Sequence, residues 1–136
     1  METFRKFSLL LLLPVLLFSC SDDDDNPVNG GNTPDEATVK YAVETPTDIV
    51  SGVQFRIATG DFAELTDVAP DWAETVQVQR PFNAAVFVQF SNTGSTQQPY
   101  AIHIYVNDEL VKTKQGMMQP NMMFTDSAVH DVPVLE

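Results

Sequence analysis

The 136-residue chain contains a single cysteine, Cys20, which excludes an intramolecular disulfide and a multi-thiolate metal site. Basic residues are scarce as well, with seven Lys and Arg against nineteen Asp and Glu and a net charge of −12. Phosphate backbones are held by clustered cations that release counterions. No such cluster exists here, so nucleic acid is excluded as a partner. The only histidines are His103 and His130. The chain lacks a Gly-x-Ser-x-Gly elbow, a phosphate-binding glycine loop and a His-Glu-x-x-His pair. Long apolar runs are missing too. The longest, residues 7–18, is interrupted by Pro14 and falls short of the ~20 residues of a spanning helix.

That short run still carries information. Arg5 and Lys6 precede it, and Leu17-Phe18-Ser19-Cys20 ends it, the order of a cleavable export signal. The four residues resemble the lipobox of bacterial lipoproteins, with Phe18 a tolerated but not favoured occupant. The resemblance implies that residues 1–19 are removed and that Cys20 becomes the first residue. Its sulfur would take a diacylglycerol and its freed amine a further acyl chain such as palmitate. One chain binds a membrane only marginally, and each buried methylene adds ~0.8 kcal/mol, so several chains hold effectively permanently.

Ser21-Asp22-Asp23-Asp24-Asp25 follows. It resembles the acidic tag that sends Bacteroidota-type lipoproteins to the outer leaflet of the outer membrane, which implies a protein facing the cell exterior. A block of like charges does not pack and stays solvated, readable as a polyanion. Removing residues 1–19 takes away Arg5, Lys6 and Glu2, leaving five cations against eighteen acids and a net charge of −13. Residues 26–37, NPVNGGNTPDEA, have the composition of a flexible spacer. The division is therefore 1–19 signal peptide, 20–37 lipidated cysteine, acidic tag and linker, and 38–136 one folded domain with a modest core.

Within that domain the dominant period is two. Val39, Tyr41 and Val43 share one face of an extended segment, Lys40 and Glu44 the other. Val53, Phe55 and Ile57 repeat the pattern, as do Val76 with Val78, and Ile102, Ile104 and Val106. Residues 84–90 are apolar on both faces, which predicts a central strand covered on both sides. Asn107-Asp108 tolerates positive φ and predicts a two-residue hairpin turn. Residues 110–114 form the return strand, and residues 122–129 a last, weaker one. Pro81, Pro99 and Pro120 are placed between strands, where a missing amide hydrogen costs no ladder bond. About seven short strands separated by Gly, Pro, Asn and Asp predict an all-β fold, a small immunoglobulin-like antiparallel β-sandwich.

The Val39-Tyr41-Val43 opening, Pro70 and Trp72 before Val76-Val78, and Ile102-x-Ile104-x-Val106-Asn107-Asp108-x-Leu110-Val111 together resemble the domain of the MmpS family. Those are small membrane-tethered accessory proteins of lipid-exporting transporters. The resemblance covers most of residues 39–115 and implies the sandwich fold and a transporter partner. This chain departs from it in lacking the cysteine that often stands at the Ile102 position, along with its partner, and in carrying a lipid anchor instead of a helix.

Four groups of side chains invite chemistry. His130-Asp131 is adjacent, and neighbours in a strand point to opposite faces, so the pair is not a catalytic dyad by spacing. No catalytic residue is assigned. Asp61, Glu64, Asp67, Asp71 and Glu74 crowd the longest connection and would suit calcium, although EF-hand spacing is absent and solvated loop carboxylates look the same. Met117, Met118, Met122 and Met123 would suit monovalent copper, a core gap or an adaptable partner surface. Alternation along a strand allows about two of the four to converge, and the partner-surface reading is kept. Trp72 would stack on a sugar or plug the end of the core, and the plug is favoured.

These readings converge on a non-catalytic, lipid-anchored cell-surface binding or adaptor protein without cofactor or assigned metal. It would engage the membrane through Cys20 and an envelope protein or surface ligand through the folded domain. The alternatives are an accessory subunit of an envelope export complex and a copper- or calcium-binding envelope protein.

Overall fold

A computed structural model of the chain describes residues 35–136. The expected signal peptide, Cys20, the Ser21 to Asp25 segment and the expected linker through residue 34 lie outside the described residues. None of the described residues is helical.

Eight antiparallel strands form two four-stranded sheets. They are β1 (Glu36–Glu44), β2 (Val50–Arg56), β3 (Phe62–Thr66), β4 (Trp72–Gln79), β5 (Phe82–Asn92), β6 (Gln98–Val106), β7 (Glu109–Met118) and β8 (Met122–Val132). One sheet has the order β4-β1-β6-β7, the other β3-β2-β5-β8. The all-β sandwich expected from the period-two pattern is present, with one strand more than the seven counted.

The inner faces are made by the alternation already visible in the sequence. Val39, Tyr41 and Val43 of β1 and Ile102 and Ile104 of β6 meet Val53 and Phe55 of β2 and Val86, Val88 and Phe90 of β5. All ten are 5 % exposed or less. Burying a side chain of this size contributes roughly 1.5–3 kcal/mol, so this interleaving is the main source of stability. Tyr41 reaches across the sandwich and donates its hydroxyl proton to the Arg56 carbonyl oxygen at 2.9 Å, joining β1 of one sheet to β2 of the other. Trp72 packs on Phe55 with ring centroids 5.4 Å apart and lies half-buried against the core, in the plugging position. Asn107 and Asp108 have φ of 50° and 65° and make the two-residue turn between β6 and β7. Asn107 also ties that turn to β1, accepting the Thr38 amide at 2.9 Å through Oδ1.

Several expectations need correction. The domain starts earlier than residue 38, since β1 begins at Glu36 and pairs with Gln79. The acidic connection is not one long loop, because β3 occupies its middle and pairs with β2, while Glu74 belongs to β4. Four of the five β3 residues are exposed, as an edge strand allows, and this exposed surface with Glu64 at its centre obscured the strand. Pro99 lies inside β6, not between strands. The pairing of β1 with β6 stops at Ala101, so beyond it β6 has a partner on one side only and tolerates a missing amide hydrogen. Strand β5 is central, but no second layer covers its outer face: Phe87 is half-buried there and Gln89 exposed.

The open side between β7 and β8 is closed by polar contacts. Tyr100 donates its hydroxyl proton to Asp126 Oδ2 at 2.7 Å, and Lys114 Nζ lies 3.9 Å from Asp126 Oδ1. The Tyr100 ring packs at a tilt on Phe90 with centroids 4.6 Å apart and meets Phe124 edge-on at 5.5 Å. Buried Asn92 donates to the Thr96 and Gln119 carbonyls at 2.8 and 3.2 Å and accepts the Gly94 amide at 3.0 Å, pinning two neighbouring turns together.

Candidate binding face

The methionine segment divides. Met118 is fully buried in the core, a correction to its place on the expected partner surface, because it points inward at the end of β7. Met117, Met122 and Met123 are exposed by 53, 48 and 65 %. A four-thioether copper site is thereby lost, and Met122 and Met123 are strand neighbours that project to opposite sides. Among the described residues no three His, Cys, Asp or Glu side chains come together as a metal group.

The histidines separate as well. On β8, His130 is half-buried while Asp131 on the other face bonds Asn83 at 2.6 Å. His103 lies on the outer face of the first sheet, with Nδ1 3.0 Å from Thr113 Oγ1 and Nε2 3.6 Å from Glu44 Oε2. A hydroxyl, an imidazole and a carboxylate in a row have the order of a nucleophilic triad. All three side chains lie on the outer face of this sheet, across β1, β6 and β7. The row acts as a cross-strand polar tie. The sequence did not point to it because Glu44, His103 and Thr113 come together only through strand register.

The second sheet has the more unusual outer face. Its alternation places Gln54 and Arg56 of β2, Phe62 and Glu64 of β3, Phe87 and Gln89 of β5 and Thr125, Ser127 and Val129 of β8 on the side away from the core. A solvated sheet face is normally polar. Here Phe62 is 41 % and Val129 44 % exposed, and Phe62 meets Phe87 edge-on with centroids 5.8 Å apart. Arg56 holds its guanidinium 4.9 Å from the Phe62 ring centre, which fixes that edge of the patch. Ala85 is buried on this face although it stands outside the core cluster.

Beside the aromatic pair the face is indented. Register aligns Glu64, Gln54, Phe87 and Ser127 in one row, and Thr66, Gly52, Gln89 and Thr125 in the next. Gly52 has no side chain to fill its place in the second row. The result is a groove of about 190 Å³ lined by Gly52, Val53, Gln54, Glu64, Phe87, Gln89 and Thr125. A β-bulge between Val50 and Gly52 shifts the strand at this point. An added Cβ on Gly52 would meet Leu65 O at 3.5 Å and Gln89 Oε1 at 3.7 Å, ordinary contact distances. Packing within the fold therefore does not require a glycine here.

No protein-family model matches this chain, and no curated protein matches it.

Proposed function

We propose that this chain is a non-catalytic binding module held on the cell surface by lipid on Cys20, with the outer face of the β3-β2-β5-β8 sheet as its contact surface. The single observation that carries this reading is the half-exposed Phe62 and Phe87 pair set among polar side chains on a face that folding alone would leave polar. The lipobox-like residues and the acidic tag supply the anchor and the outward address, so the face would meet whatever lies outside the cell. The test uses intact cells producing the lipidated protein with a photoreactive phenylalanine at residue 62, and a control carrying it at Thr75, exposed on the other sheet. Capture of one recurrent macromolecule from position 62 and not from 75 is the expected result. Equal or absent capture at both positions refutes the reading, as does a Cys20→Ala variant that stays with the membrane.

A second reading has its own observation. Met117, Met122 and Met123 expose thioethers around the β7 to β8 turn, and flexible apolar side chains of this kind suit a protein partner. In that case the protein is an accessory subunit of an envelope export complex, as in the MmpS family. The same photoreactive residue at Met123 would then capture a single membrane protein in near-equal amount.

A further inference from the structure

We propose that the groove over Gly52 seats one ring of a neutral glycan, an inference that rests on the sheet face being the contact surface. Four features select this ligand class. The groove volume of about 190 Å³ is below the roughly 300–1,000 Å³ of sites for drug-sized molecules, so it takes one ring-sized unit. Its lining offers two side-chain amides, a carboxylate and a hydroxyl from Gln54, Gln89, Glu64 and Thr125, all exposed, beside the half-buried face of Phe87. A sugar ring has that composition in reverse, with hydroxyls around its rim to pair with amides and carboxylate and an apolar C–H face to lie on an aromatic ring.

Charge narrows the choice further. Glu64 lines the groove, the chain carries a net charge of −12, and Arg56, on the same face, is engaged with Phe62. A phosphorylated or uronate-rich polymer would be repelled, whereas an uncharged one would not. An extended peptide fits less well. Strands that capture peptides do so through free backbone groups at a sheet edge. At Gly52 and Gln89 both strands are inside the sheet, flanked on each side by ladder partners. The polymer would continue past the groove over Phe62, because Phe62 and Phe87 lie 5.8 Å apart on the same face.

Gly52 makes the proposal testable, since its neighbours admit a Cβ at ordinary contact distances and a larger side chain there would occupy the groove. The lipidated protein is held in a detergent without a sugar headgroup and presented to an array of neutral glucans, mannans, xylans and galactans, with polygalacturonate as the anionic control. Binding to at least one neutral glycan and none to polygalacturonate is expected. Gly52→Val and Gln54→Ala should each weaken that binding at least tenfold, and Thr75→Ala should leave it within twofold. If Gly52→Val lowers the melting temperature, Gln54→Ala, at an exposed position, decides alone. Absence of binding to every neutral glycan, or binding that ignores both groove variants, overturns the proposal. A protein captured from residue 62 together with a silent array would retain the binding module and eliminate the glycan.

Discussion

Gly116→Ala is the substitution for which the fold makes its sharpest demand. Gly116 sits on β7 directly opposite Tyr100 of β6, and the tyrosine ring lies across it. An added Cβ would stand 2.7 Å from Tyr100 Oη, 2.9 Å from Cζ and 3.0 Å from Cε1, closer than real Cβ atoms approach. The ring cannot simply swing aside, being packed against Phe90 and Phe124 and bonded to Asp126 at 2.7 Å. Displacing it forfeits a hydrogen bond to a charged acceptor, ~1.5–3 kcal/mol. Overpacking the residual core adds ~1–3 kcal/mol. Replacing glycine in a strand returns ~0.5–1 kcal/mol of backbone entropy. The net expectation is a loss of about 1.5–5.5 kcal/mol, or roughly 7–26 °C in melting temperature for a domain of this size. Urea unfolding of the mature chain with Cys20→Ser, followed by fluorescence of Trp72, measures it. The decisive comparison is the same change in a Tyr100→Leu background, where the alanine should cost less than ~1 kcal/mol, giving a coupling of about 2 kcal/mol. A Gly116→Ala cost below ~0.5 kcal/mol, or an equal cost in both backgrounds, would refute the reasoning.

Two further perturbations test the polar scaffold. Asn92→Ala removes the buried side chain that bonds the Thr96 and Gln119 carbonyls and the Gly94 amide, and should cost about 1–3 kcal/mol in the same urea assay; Asn92→Asp retains an acceptor for the Gly94 amide and loses the donor, so it should not rescue. Tyr41 and Tyr100 hydroxyls are both pushed from 10.0 up to about 12, Tyr41 chiefly by burial and Tyr100 by burial and then by its bond to Asp126. Each holds its proton more tightly folded than unfolded, so its stabilisation is complete below pH 10 and is lost as pH rises from about 10 to about 12. Tyr41 contributes up to about 2–3 kcal/mol and Tyr100, closer to solvent, a smaller amount, so the unfolding free energy should fall across that window. The fall should shrink in Tyr41→Phe and in Tyr100→Phe; an unchanged alkaline slope in both would contradict the assignment.

Much of the fold was legible because inward and outward residues alternate without interruption. Val39-Tyr41-Val43, Val53-Phe55 and Ile102-Ile104-Val106 each declare a half-buried strand, and Asn107-Asp108 declares its turn. Strand β3 was hidden for the opposite reason. An edge strand with little to bury carries charge, and Glu64 between Phe62 and Leu65 reads as loop surface. Pro99 was misplaced because sequence does not reveal where a neighbouring strand stops. The groove was illegible for a deeper reason. Gly52, Gln54, Phe87, Gln89 and Thr125 belong to three strands, and register alone makes them neighbours. In sequence, Phe87 belongs to a continuous apolar run and reads as core, when it is the one large side chain of β5 on the outer face.

The same register supports the proposal that a face, rather than an edge, is the contact surface. A two-layer sandwich leaves four edges, here β4, β7, β3 and β8, and unpaired edges attract other chains. Each is defended. β3 is five residues long with Glu64 at its centre, β4 carries Glu74, and β7 carries the exposed Lys112 and Lys114. β8, at eleven residues the longest, turns Asp126 inward, where Tyr100 and Lys114 receive it. The desolvation cost of a carboxylate pointing into the sandwich is offset while those partners are in place, and it penalises any added strand that would displace them. With its edges protected in this way, the molecule has apolar surface to offer on the sheet face around Phe62 and Phe87 and at the methionines of the β7 to β8 turn. Only the first of these has both an aromatic wall and a polar-lined recess, and a ligand fitting it would leave every ladder bond of the sandwich intact.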